Sequence, residues 1–244
     1  MAHPVDAPVT ASPERASLFE DFIDIFYAPS KVFARRANSG FWAVTLILAV
    51  VIGALVFANS GAMEGITDAE FQRQATKMME QNPQLTLEQI EKGRGVGEMI
   101  TKVGAFLFMP LTVLVLGLMV LLAGKIFGAK LGFAAAAMIA AYSEIPRILE
   151  QVLVSVQAML LDTDAMTSRA QLSLGASRFL DPDTTSAGML ALLQRVDPFT
   201  IWVTILLGIG IAVVGKVPRE KGMLAAALLW LVGSVPALIT FMVT

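Results

Sequence analysis

Leu131-Gly-Phe-Ala-Ala-Ala-Ala-Met-Ile-Ala-Ala-Tyr-Ser-Glu144-Ile-Pro146-Arg147-Ile-Leu-Glu150, continuing from Val152 to Leu161, is the stretch on which the reading of this chain turns. Its first half is an uncharged run of small and apolar residues. Its second half carries two carboxylates, an arginine and a proline. A helix rises about 1.5 Å per residue, so a hydrocarbon core of roughly 30 Å takes about 20 residues. Counted from Leu131, that length ends near Glu150. The segment reads as a membrane span over 131–152, kinked at Pro146, with its last turns beyond the bilayer.

Working outward, four further apolar runs have span length: 41–59, 103–124, 199–215 and 222–243. Lysine and arginine near their ends set the orientation. One side gathers Lys31, Arg35 and Arg36, then Lys125 and Lys130 in one tiny loop and Lys216, Arg219 and Lys221 in another. The opposite side has two long loops, 60–102 and 162–198, with sparser charge. The dense side is expected to be cytoplasmic, with the N-terminus inside and the C-terminus outside. Without a span at 131–152 the Lys216 cluster would fall outside, so the charge pattern supports that span.

Composition agrees. Hydrophobic residues make up 56% of 244 positions and charged residues 16%, too little charge to cover a soluble core. A net charge of −2 provides no basic surface for nucleic acid. There are no cysteines, which excludes disulfides and thiolate sites. Residues 1–17 are rich in Ala, Pro, Ser and Thr and lack the apolar stretch of a secretory signal, so they read as a disordered cytoplasmic tail.

Outside the bilayer, Leu18, Phe19, Phe22, Ile23 and Phe26 recur at helical spacing with Glu20, Asp21 and Asp24 opposite. This predicts an amphipathic helix over 18–28, broken at Pro29, resting on the membrane surface or the bundle, or docking a partner. Thr67-x-x-Glu70 and Thr86-x-x-Gln89 each fit a capping box, predicting two short helices separated at Asn82-Pro83, with Met78 and Met79 packing between them. In the second long loop, Met189 to Val196 reads as helical. Asp162, Asp164, Asp181 and Asp183 could face a cation. Beside Pro and Thr they read as turn and cap residues, and no metal or cofactor is expected.

Catalytic chemistry finds no purchase. The only histidine, His3, lies in the tail, so a membrane serine nucleophile would lack its base. No His-Glu-x-x-His motif occurs, and no span carries an aspartate. The candidate functional cluster is Glu144, Pro146, Arg147 and Glu150. Charges at i and i+3 lie about 60° apart around a helix loosened by proline. Such charges often mark a pathway or relay. Equally, Glu144 and Arg147 can neutralise each other while Glu150 meets water. Gly208, Gly210 and Ala212 are small residues that let helices approach closely.

At Asp197-Pro198-Phe199-Thr200-Ile201-Trp202 the chain resembles the Yip family, membrane proteins named for interaction with Ypt/Rab GTPases, and in particular its bacterial branch. Leu207-Gly208-Ile209-Gly210, Phe26-Tyr27-Ala28-Pro29, Phe33 and Pro146 extend the resemblance from Leu18 to the C-terminus. An Asp-Leu-Tyr-Gly-Pro-like motif is missing and the outer loops are long, so Rab binding is not implied. The expectation is an all-α, polytopic protein with five transmembrane helices in one bundle, in the bacterial inner membrane. It is read as a non-enzymatic scaffold or membrane-organising protein partnered by lipid, other membrane proteins or itself, not by nucleic acid. The alternative is a small-solute or ion transporter or channel using Glu144, Arg147 and Glu150.

Overall fold

The structure, a computed structural model, describes residues 17–161, 166 and 168–243. Within them the regular structure is ten α-helices and two short 3-10 turns, with no strand. The tail before Ser17, and Asp162 and Asp164, lie outside the described residues.

Ser17 opens α1 (Leu18–Asp24) with a reciprocal cap: its Oγ accepts from the Glu20 amide at 3.2 Å while its own amide donates to the Glu20 carboxylate at 2.6 Å. This helix is shorter than the apolar spacing suggests. Pro29 begins a separate helix, α2 (Pro29–Arg36), because proline at the first helical position loses no amide bond and has φ preset. Together α1 and α2 form a hairpin lying on the bundle rather than a single elbow, with α2 packed along α9.

Three helices are long and apolar enough to cross a membrane: α5 (Leu87–Ile126), α9 (Pro198–Gly215) and α10 (Arg219–Val243). A shorter apolar helix, α3 (Trp42–Ala58), joins them. The chain is an all-helical integral membrane bundle. The loops at 127–132 and 216–218 lie side by side, since the Lys130 amide donates to the Gly215 carbonyl at 3.0 Å. Phe41 meets Phe133 edge-on at 6.4 Å, bringing the start of α3 to this same short-loop end.

The decisive stretch is two helices, α6 (Phe133–Ser143) and α7 (Pro146–Leu160). Pro146 has no amide to donate, and the backbone tightens there. Ile145, Arg147 and Ile148 donate to carbonyls three residues back, at 3.3, 3.0 and 3.0 Å. Residues 136–143 of α6 are all buried, so this helix is the centre of the bundle. Its alanines permit that: a Cβ on Gly117 of α5 would sit 2.8 Å from the Ala137 Cα.

On the long-loop side the structure departs from the expected short helices. α4 (Glu64–Gln81) begins before Thr67, whose amide already donates within the helix to the Met63 carbonyl at 2.9 Å, so Thr67 caps nothing. Thr86 does cap, exchanging bonds of 3.4 and 3.0 Å with Gln89. The helix it starts is α5 itself, whose 40 residues extend about 60 Å, twice a hydrocarbon core. No proline interrupts residues 87–109, so nothing stops the span from continuing outward. Met78 is exposed rather than packed. Asp183 pairs with Arg73 at 2.6 Å, and Asp181 accepts from the Asp183 amide at 2.8 Å, a turn. The helix near Met189 is α8 (Ala187–Gln194), with Gly188 against Phe241 near the end of α10. α8 and α9 form a second interrupted segment, broken at 195–197.

Candidate functional site

Two chain breaks face each other. Thr200 stands 15 residues along α9 from Gly215, so this level is about 22 Å from the short-loop end. There Arg147, at the start of α7, donates from Nη2 to the Thr200 Oγ1 at 3.2 Å. Its Nη1 meets the Glu150 carboxylate at 2.7 Å and its Nε lies 3.5 Å from Glu144. The Glu144–Arg147 pair expected from spacing is thus the longer of two contacts. Glu150 does not stand apart in water but makes the shorter one. Glu144, 6% exposed, is the most deeply set of the three.

Asp197 starts α9 by accepting from the Phe199 and Thr200 amides, each at 2.9 Å, with Pro198 in the first turn. This satisfies two amides that would otherwise be orphaned and places negative charge at the positive end of the helix. Phe199 stacks on Trp202 at 6.3 Å, and Trp202 receives Phe26 edge-on at 5.2 Å. The Asp-Pro-Phe-Thr-Ile-Trp segment is therefore a helix start and a clasp for the N-terminal hairpin.

The glycines have packing roles. A Cβ on Gly210 would lie 2.6 Å from Ile139 Cγ2 and 3.2 Å from the Phe33 ring, so α9 touches α6 and the hairpin there. Gly208 closes on Met223 of α10, and Ala212 lies opposite Gly222.

Glu144, Arg147 and Glu150 line a cleft of about 660 Å³, together with Thr112, Arg195 and Gly233 and apolar groups of α3, α5 and α10. Sequence reasoning missed Arg195. The available signal was its place after the apolar run 189–193, two residues before Asp197-Pro198. It missed a second cluster too. Asp21 is fully buried, gripped by Arg35 and Arg36 at 2.6 Å each and by the Tyr142 hydroxyl at 3.2 Å. Its position was legible, since Leu18, Asp21, Phe22 and Ile25 follow the i, i+3, i+4, i+7 pattern of one face. Placing Asp21 on the outer polar face was wrong because the two arginines supply the charge that burial requires.

No metal-ligand cluster of three or more His, Cys, Asp or Glu occurs among the described residues. No curated protein and no solved structure matches the chain. The pattern of the Yip1 domain matches residues 23–240, from the buried hairpin through both interrupted helices to the last span. On that extent of match, the chain belongs to the Yip1 domain family.

Proposed function

We propose that this Yip-family protein is a non-enzymatic membrane scaffold or membrane-organising protein of the family's bacterial branch, set in the inner membrane. The observation that carries the reading is α5. It leaves the bundle for about 30 Å beyond a bilayer's thickness and, with α4, carries a helical platform outside the lipid. Arg94 ties the platform together by pairing with Asp68 and with Glu98. Val96, Met99 and Ile100 are exposed on it, an apolar patch of the kind that contacts proteins. The lysine and arginine distribution orients the N-terminus to the cytoplasm and the platform outside.

Photo-crosslinking from Met99 in intact membranes tests this. Discrete protein adducts, including dimers of the chain, are expected, and adducts to lipid alone would refute it. Reporter fusions at Gln81 and Thr244 read the orientation, and a cytoplasmic signal at either would reverse it. The cleft favours a second reading, a small-solute or ion pathway through Glu144, Arg147 and Glu150. Flux into proteoliposomes that Glu144→Gln abolishes while the fold persists would support it over the scaffold.

A further inference from the structure

The cleft holds one arginine that the chain itself leaves under-satisfied. Arg147 is used up by Glu144, Glu150 and Thr200. Arg195 has no carboxylate within ion-pair distance among the described residues. Its Nε donates to Ser234 Oγ and its Nη2 to the Trp230 carbonyl, both at 3.3 Å. A guanidinium has five donors, and the long contacts leave most of them for something else. Gly233 makes room for it, since a Cβ there would lie 2.8 Å from Nη2.

Location says what could reach it. Ser234 lies 15 residues along α10 from Arg219, about 22 Å from the short-loop end and within about 8 Å of the far edge of a hydrocarbon core. Over such a distance, lipid headgroups and water follow a membrane arginine inward. The cleft also opens sideways: Leu111 and Val115, 55% and 51% exposed on α5, form its rim. An apolar rim toward lipid and a charged inner wall suit an amphiphile better than a water-borne solute. The wall holds two carboxylates, Glu144 and Glu150, against Arg147, so a positive group is welcome beside the anion that Arg195 takes.

We propose that this cleft binds the headgroup of a zwitterionic phospholipid from the leaflet on the long-loop side, its phosphate on Arg195 and its ammonium toward Glu150. The site does not depend on the scaffold reading. It adds a ligand that the reading does not require.

The full chain would be purified in mild detergent and reconstituted in nanodiscs, and retained lipid counted by native mass spectrometry. Phosphatidylethanolamine should be retained and should raise the melting temperature. Arg195→Gln should lower its affinity about tenfold, the worth of a lost charge-assisted bond, while Arg195→Lys keeps part of it. Gly233→Ala should weaken binding with every charge in place. Ser234→Ala, which removes only the acceptor that positions Nε, should weaken it less than Arg195→Gln, and melting without added lipid separates ligand loss from misfolding. Equal retention by wild type and Arg195→Gln would overturn the proposal. So would stabilisation by inorganic phosphate matching that by the lipid, which would mean a free-anion site, or preference for phosphatidylglycerol, which would leave Glu150 without its role.

Discussion

The protein buries two clusters of the same residue types, and they are finished differently. In the hairpin cluster, Arg35 and Arg36 close on the fully buried Asp21, Arg35 also reaches Asp24 at 2.7 Å, and Tyr142 adds a bond from the bundle centre. Each acid there meets a cation directly. In the cleft cluster, Arg147 is shared by two acids at unequal distance, and among the described residues Arg195 meets only neutral oxygens. A closed network locks elements together. An open one leaves interaction free energy for a ligand. The contrast separates a structural cluster from a candidate site without reference to sequence motifs.

The strongest test of the closed cluster is Asp21→Ala. It leaves two arginines facing each other and strips the Tyr142 bond, and breaking a buried pair costs about 3 kcal/mol. Chemical unfolding in detergent micelles should show a loss of that order. An unchanged midpoint would mean the hairpin is an ornament and would erase the distinction between the clusters.

Gly210→Leu attacks the same closure through packing, because its side chain would enter the space of Ile139 and Phe33. Overpacking of this kind costs roughly 1–3 kcal/mol. Gly208→Leu should cost a similar amount against Met223, and Ala212→Gly clearly less. Thermal melting ranks the three, and equal negligible effects would place this face toward lipid.

In the open cluster, Glu144→Gln should cost about 1–2 kcal/mol, less than Asp21→Ala, because Arg147 keeps Glu150 at 2.7 Å. The double change Glu144→Gln with Arg147→Gln should cost more than Glu144→Gln alone, since Glu150 and Thr200 then lose the guanidinium they share. A double-mutant cycle on melting temperature measures the coupling. Coupling as large as that between Asp21 and Arg36 would make the two clusters equivalent.

The smallest effect expected is one of pH. The Arg35 hydrogen bond holds the Asp24 carboxyl below the ordinary carboxylate range. A group depressed in the folded state stabilises the fold above its unfolded pKa, and that contribution is lost as pH falls through the folded value. Acid should therefore loosen the hairpin as pH drops below the carboxylate range. Amide exchange of residues 18–36 would report it, and Asp24→Asn should remove that part of the pH dependence.

Sequence reading went furthest where the physics is one-dimensional. The uncharged runs at 103–124, 199–215 and 222–243 lie within helices long and apolar enough to span, because only a helix satisfies its backbone in lipid. Asp197-Pro198 announced the start of α9 and Thr86-x-x-Gln89 that of α5, because caps and proline act on near neighbours. Misreadings arose where a local signal met a distant competitor. The threonine at 67 looked like a cap, yet the preceding turn had already engaged its amide. Asp21 looked like part of an outer polar face, yet it is fully buried with Arg35 and Arg36 closed on it.

By itself, then, the sequence determined a helical membrane protein and several of the places where its helices start or bend. Which charges neutralise which was decided only by tertiary structure. Asp21 meets Tyr142 from 121 positions away, and Arg147 meets Thr200 from 53. The cost of a buried charge depends on every group that packs within a few ångströms of it, and no periodicity along the chain reports those groups.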